Sequence, residues 1–264
     1  MVGRFKAIAR RLRRKLLLPA YWRDQASAAQ SVVPLGTPPP DAKLRALFLQ
    51  GPTTDLPDPG LARLLGPVTL GFWTIDSSSL WWLCRQVRER KPTAILELGS
   101  GISTIAFASV MRELYGMGTP RVYSVEQDAE QTATTQSRLA AAGLAGMAKV
   151  LHAPLVEQTI EQQDVLCYEL GSAALAGFLG DIRPDFTFVD GPAAPGHPDV
   201  RFGTLPLVKE HVVAGSPFWL HDGFRPEETE VANRWAALRY LNVVGLRPIG
   251  AGLIEGHFTH VDRA

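Results

Sequence analysis

Glu97, Gly99, Gly101 and Glu126 have the types and spacing that could do chemistry, and Asp190, His221 and Asp222 follow further along the chain. Gly99 and Gly101 separate a stretch that reads as a strand from one that reads as a helix. Glycine there lets the backbone approach a ligand, and the helix start offers unpaired N–H groups. A dinucleotide fingerprint would place a third glycine at position 104, which here is Thr104. Instead, the carboxylate of Glu97 stands two residues before the first glycine. Such an acid can face the ammonium or sulfonium end of a cofactor, where it would repel a pyrophosphate. Glu126 directly follows the next strand-like run, a place from which an acid can accept hydrogen bonds from both ribose hydroxyls. NAD enzymes use an acid at the same place, so Glu126 indicates a ribose and leaves the rest of the cofactor open.

Asp190, His221 and Asp222 end two later strand-like runs, and open α/β sheets bind ligands at the carboxyl ends of their strands. Any of the three could be a general base. Asp190 and Asp222 could also hold Mg2+ or another divalent cation, which would orient acceptor oxygens. The structural alternatives are a turn cap for Asp190 and a hydrogen-bonded core histidine for His221. Trp73, Trp81 and Trp82 read either as a cover for the site or as packing.

The elements that must position these residues alternate from residue 94 onward, as βαβ units of a parallel sheet do. Strands are expected at 94–98, 121–125, 149–152, 185–189 and 218–220, and helices at 102–115, 129–142, about 205–213 and about 227–241. Two closing strand-like runs, 243–249 and 252–258, would form a hairpin. A helix starting at Ser77 or Ser78 and ending near Arg90 precedes the sheet, with Leu80, Leu83, Cys84 and Val87 as its inner stripe. Trp82 then points the other way, and something should cover its ring.

The run Ile95-Leu96-Glu97-Leu98-Gly99-Ser100-Gly101-Ile102-Ser103-Thr104 resembles the first motif of class I methyltransferases, and Val122-Tyr123-Ser124-Val125-Glu126 resembles the second. His152-Ala153-Pro154-Leu155 is similar to the third-strand segment of that family, and Phe186-Thr187-Phe188-Val189-Asp190-Gly191-Pro192 to the fourth. The resemblance covers about 94–260. It implies a Rossmann-like, doubly wound α/β sheet, mostly parallel with an antiparallel last strand, behind an N-terminal helical and proline-rich extension. It also implies S-adenosylmethionine as cofactor, held by Glu97, Gly99, Ser100, Gly101, Ser103, Glu126 and Asp190, with Ala153 and Leu155 lining the adenine. The third segment lacks the acid that many members turn toward the adenine amine. Catalysis would fall to Asp190, His221 or Asp222, and Asp190 with Asp222 resembles, in part, the pair of metal-dependent O-methyltransferases. The implied acceptor is a small or carbohydrate-like hydroxylated molecule.

Bulk properties narrow the rest. A net charge of +1 over 264 residues argues against a chain-wide nucleic-acid footprint. Asp190-Gly191-Pro192-Ala193 also lacks the two prolines and aromatic of amino-directed nucleic-acid enzymes. Residues 1–23 carry eight Lys and Arg and no acid, with Phe5, Ile8, Leu12 and Leu16 near one helical face, the pattern of a segment drawn to an anionic membrane surface. Two distant cysteines, Cys84 and Cys167, suggest a reducing compartment, so the expected location is cytoplasmic with peripheral membrane contact. The expected division is a basic segment at 1–25, a proline-rich connector at 26–75 and the methyltransferase unit at 76–264. Rival readings are a nicotinamide-dependent oxidoreductase and a non-catalytic module that keeps the fold.

Overall fold

The structure is a computed structural model that describes residues 2–71 and 73–259, with side chains for residue 10 and from residue 12 onward within that span. In chain order the N-terminal part holds α1 (Val2–Ala28), α2 (Ala42–Phe48), β1 (Gly51–Pro52), α3 (Pro59–Leu65), β2 (Thr69–Leu70) and α4 (Ser77–Arg90). Then come β3 (Ile95–Leu98), α5 (Ile102–Tyr115), β4 (Val122–Glu126), α6 (Ala129–Ala141), β5 (Ala148–His152), β6 (Leu155–Ile160), β7 (Gln163–Tyr168) and α7 (Ser172–Leu179). The chain closes with β8 (Phe186–Val189), α8 (Thr204–Val208), β9 (Pro217–Leu220), α9 (Pro226–Ala236), β10 (Leu241–Arg247) and β11 (Leu253–Phe258).

Seven strands form one sheet in the order β10-β11-β9-β8-β3-β4-β5. The pairs β9·β8, β8·β3, β3·β4 and β4·β5 are parallel, while β11 runs antiparallel to both neighbours. This is the expected doubly wound sheet with an antiparallel last strand. The chain leaves β3 toward β5 and returns to β8 on its other side, so the strand order reverses beside Gly99. Strand residues alternate between two cores, as the period of two requires. Ile95, Phe186 and Trp219 face α4 and α5, whereas Leu96, Leu98, Val189 and Leu220 face the side of Leu205 and Trp235.

The structure differs from the sequence reading in four places. The helix α4 is capped by Asp76, not by Ser77 or Ser78: its Oδ1 accepts from the N–H groups of Ser78 and Ser79 at 2.9 and 3.0 Å. The expected irregular connector contains α2 and α3, each capped by an aspartate, Asp41 and Asp58, and buries Phe48, Leu56, Leu61, Leu65 and Leu70. The hairpin β6·β7 and the helix α7 lie between β5 and β8 where none was expected, and α9 stops at Ala236 because Leu241 pairs with Phe258.

The basic segment is helical through Ala28, and part of it docks. Tyr21 stacks on Phe48 with ring centroids 4.1 Å apart and hydrogen-bonds Ser78, while Trp22 Nε1 donates to the Asp55 carbonyl at 2.9 Å. Leu12 and Leu16 remain 58% and 81% exposed, with Arg13 and Lys15 exposed beside them. The side chains of Phe5 and Ile8 lie outside the described residues. The Trp82 ring is covered as expected, by the Arg247 guanidinium 4.7 Å from its centroid. Cys84 and Cys167 are both buried free thiols. Among the described residues no helix is long and apolar enough to cross a membrane.

Candidate active site

Two cavities open along the carboxyl edge of the sheet. The first, about 350 Å³, is bounded by the loop Gly99–Ser103, by Glu126 to Asp128 at the tip of β4, and by Asp190 and Gly191 after β8. The second, about 400 Å³, is lined by Asp76, Asp190, His221, Asp222, Arg225 and others from α2 and the 248–251 turn. Trp73, Thr74, Asp190 and Ala193 line both, so the cavities meet at Asp190.

The glycine loop is shaped by close backbone crossing. Gly99 has φ +102, and a Cβ there would stand 3.0 Å from Gly191 N and 3.1 Å from the Asp190 carbonyl carbon. Gly191 is hemmed in reciprocally, since its Cβ would lie 2.8 Å from Gly99 Cα and from the Tyr168 hydroxyl. Both positions therefore require glycine. Glu126 locks the loop: its Oε2 accepts from Ser100 N at 2.8 Å and its Oε1 from Asp128 N at 3.1 Å. Each of its oxygens has capacity for a further bond, and Glu126 lines the cavity.

Glu97 is placed differently from the sequence expectation. It does not line the cavity; its carboxyl lies fully buried beneath the loop, where Oε2 accepts from Thr104 Oγ1 at 2.6 Å and Ser124 Oγ at 2.5 Å. Burial pushes its pKa up to about 7, against the lowering effect of the neighbouring hydroxyls of Ser103, Ser124 and Thr104. Its Oε1 has no hydrogen-bond partner, an orphaned buried acceptor behind the loop. Thr104, which replaces the third glycine, is one of the groups that hold this carboxyl. Ser100, Gly101 and Ser103 line the first cavity. Ala153 and Leu155 are not among its lining residues: Ala153 is buried with its N–H on the Glu126 carbonyl at 2.7 Å, and Leu155 enters the β6·β7 hairpin. The glycine-lined loop, the acid at the tip of β4 and the orphaned carboxyl oxygen fit a nucleoside with a cationic amino-acid end.

In the second cavity the tertiary structure assembles a chain of charged groups. His221 bridges two acids, with Nδ1 2.8 Å from Asp190 Oδ1 and Nε2 3.1 Å from Asp76 Oδ2. A carboxylate oxygen can only accept, so each ring nitrogen must carry its hydrogen. Burial alone would lower the His221 pKa, but Asp190, Asp222 and Asp76 raise it well above its ordinary value. An imidazole held in this way has no lone pair with which to take a proton, so His221 does not fit the general-base role expected for it. Burial works against Asp76 as well, yet the bonds from His221, Ser79 and Ala251 hold its pKa at about 2. Asp190 is likewise held low: burial raises it, and His221, Arg201 and Arg225 outweigh that.

Asp76 and Arg201 escaped the sequence reading. The Asp-Ser-Ser-Ser start of α4 carried a signal for the first, because aspartate is a strong N-cap; nothing local pointed to Arg201, which reaches Glu228 Oε1 at 2.9 Å from a turn. Asp222 adopts φ 63, the left-handed region that aspartate tolerates better than most residues, and its Oδ2 pairs with Arg225 Nη1 at 2.9 Å.

Asp190, His221 and Asp222 each offer an atom within 4.8 Å of the others, a spacing compatible with a divalent ion. The donor set does not fit one. His221 is saturated by two carboxylates, and Arg201 Nη2 faces Asp190 Oδ1 at 3.6 Å and Asp222 Oδ2 at 3.7 Å.

No protein-family model matches the sequence, and no curated protein matches it. Solved structures do. The SAH-bound methyltransferase PaMTH1 of Podospora anserina shares 15% identity at a TM-score of 0.53, covering 92% of this chain and 96% of its own. Cofactor-bound Rv0187 from MTB shares 14% identity at 0.52, over 71% of this chain and 83% of its own. A Klebsiella pneumoniae protein provisionally described as an O-methyltransferase shares 18% at 0.51, over 77% and 91%. The chain therefore has the class I methyltransferase fold.

Proposed function

We propose that the protein is an S-adenosylmethionine-dependent methyltransferase that acts on a hydroxyl of a small or carbohydrate-like acceptor. The junction of the two cavities at Asp190 carries this assignment, because transfer between two bound molecules needs adjoining sites, one for the donor and one for the acceptor. The fold shared with PaMTH1, and with the Klebsiella pneumoniae protein described as an O-methyltransferase, supports it. Residues 76–264 would carry the donor site, and α2 with Trp73 and Thr74 would close the acceptor side.

The bound cofactor supplies an activated methyl group. Gly99, Ser100, Gly101 and Ser103 offer backbone and hydroxyl groups to its amino-acid end, with the Glu97 carboxyl buried behind them. Glu126 accepts from the ribose hydroxyls while holding Ser100 in place. Asp190 stands between the two sites. Asp222 orients the acceptor hydroxyl and takes the proton it loses, because His221 is already committed to Asp190 and Asp76.

Thermal unfolding tests the donor site. S-adenosylhomocysteine at one hundred times its Kd should stabilise the protein by about 2.7 kcal/mol. Glu126→Ala should remove most of that gain, and an equal response in both proteins would exclude Glu126 as the ribose acid. No response of the wild type to either S-adenosylmethionine or S-adenosylhomocysteine would remove the assignment altogether.

We also infer peripheral contact with anionic lipid through α1, since Leu12 and Leu16 stand exposed one helical turn apart with Arg10 and Arg13 beside them.

A further inference from the structure

We propose that Arg201 is the built-in cation of the second cavity: its guanidinium occupies the place of a divalent ion between Asp190 and Asp222, and this site works without a metal. The proposal rests on the methyl-transfer assignment only in treating that cavity as an acceptor site. Pairs of acids at the ends of neighbouring strands can hold a cation that aligns acceptor oxygens. Here one guanidinium nitrogen, Arg201 Nη2, faces both acids at 3.6 and 3.7 Å. An ion between Asp190 and Asp222 would have to sit beside this fixed positive charge.

Arg201 is not a mobile side chain that an ion could push aside. It is 7% exposed, and its other donors are fixed by the fold. Nη2 donates to the Asp190 carbonyl at 3.1 Å, Nη1 to the His221 carbonyl at 3.3 Å, and Nε to the Pro192 carbonyl at 3.4 Å. Nη1 also meets Glu228 Oε1 at 2.9 Å. These carbonyls follow the ends of β8 and β9, and the planar fork of arginine reaches all three at once, which a lysine ammonium could not. Asp222 is held by a second guanidinium, Arg225, at 2.9 Å. His221 completes the exclusion, because both of its ring nitrogens point at carboxylate oxygens and it has no electron pair for a metal. Arg201 is thus a positioning residue that sets the two acids at the spacing an acceptor hydroxyl would meet.

Mn2+ binding to the full chain, read by electron paramagnetic resonance near neutral pH with and without S-adenosylhomocysteine, tests this. The wild type should show no Mn2+ site that Asp222→Asn abolishes; binding that survives Asp222→Asn lies elsewhere and agrees with the proposal. Arg201→Met removes the charge but keeps much of the side-chain volume, and should gain Mn2+ affinity by roughly tenfold or more, a gain that Asp222→Asn on top cancels. A merely structural arginine would give no such gain. Wild-type Mn2+ binding lost in Asp222→Asn, or a folded Arg201→Met with no gained affinity, would overturn the proposal. If Arg201→Met does not fold, the wild-type and Asp222→Asn arms decide. Failure of S-adenosylhomocysteine to bind would sink the methyltransferase assignment and leave the Mn2+ results readable.

Discussion

Glu97→Gln should flatten the pH dependence of stability in one defined window. Glu97 is fully buried, and burial raises its pKa from the ordinary 4.5 to about 7. Between those two values the folded chain holds a proton that the unfolded chain has released. Stability from this group is therefore complete below about pH 4.5 and is lost as pH rises through about 7. At about 1.36 kcal/mol for each pKa unit, the loss is about 3 kcal/mol, or about 6–12 °C in Tm for a chain of this size. Glutamine resembles the protonated acid in charge and shape and can still accept from Ser124 and Thr104. Its amide places a donor at the orphaned Oε1 position, which adds an offset that does not vary with pH, so the slope is the quantity to compare. Glu228 and His221 also titrate in the folded protein, but they are common to both proteins and cancel in the difference. Chemical denaturation of wild type and Glu97→Gln from pH 4.5 to 8 measures it. Parallel stability curves across that range would show that Glu97 is already ionised in the folded state, and the account of a desolvated carboxyl beneath the glycine loop would fail.

The remaining predictions concern the loop crossing and the basic helix. Gly99→Ala should destabilise the protein by about 1–3 kcal/mol and weaken S-adenosylhomocysteine binding, because φ +102 is strained for alanine and its methyl meets the Asp190–Gly191 backbone. Gly118→Ala, with nothing within 4 Å, is the control and should leave both unchanged; calorimetric unfolding and binding isotherms read both variants. Leu16→Glu combined with Arg13→Glu should lower co-sedimentation with phosphatidylserine vesicles and leave S-adenosylhomocysteine affinity intact, and unchanged sedimentation would remove the membrane role. Point changes suit this test better than deletion of 1–23, which would also remove the buried Tyr21 and its contact with Ser78.

Much of the first cavity was legible along the chain. The helix expected at 102–115 is α5 itself, and the strands bearing Glu97, Glu126 and Asp190 lie within a residue of where alternation placed them. These are local signals: apolar period, glycines at a strand-to-helix turn, an acid at a strand tip. The second cavity was only partly legible. Asp190, His221 and Asp222 stood out as polar residues ending apolar runs, but their partners did not. Asp76 meets His221 across 145 positions of sequence, and Arg45 reaches the carbonyls of Pro248 and Gly250 across 203 and 205. The hairpin β6·β7 was missed because its strands, Leu155–Ile160 and Gln163–Tyr168, mix polar with apolar residues too evenly to stand apart from a loop.

By itself the sequence determined the alternating strands and helices of the central sheet, the glycine loop and the acid at the tip of β4, because hydrophobic period and backbone sterics act between near neighbours. Only the tertiary structure decided what each charged group does. It turned Glu97 inward to a raised pKa, tied His221 between Asp190 and Asp76, and set Arg201 against Asp190 and Asp222. Protonation and ion pairing depend on burial and on distances of a few ångströms between residues far apart in the chain, and those distances exist only once the sheet has formed.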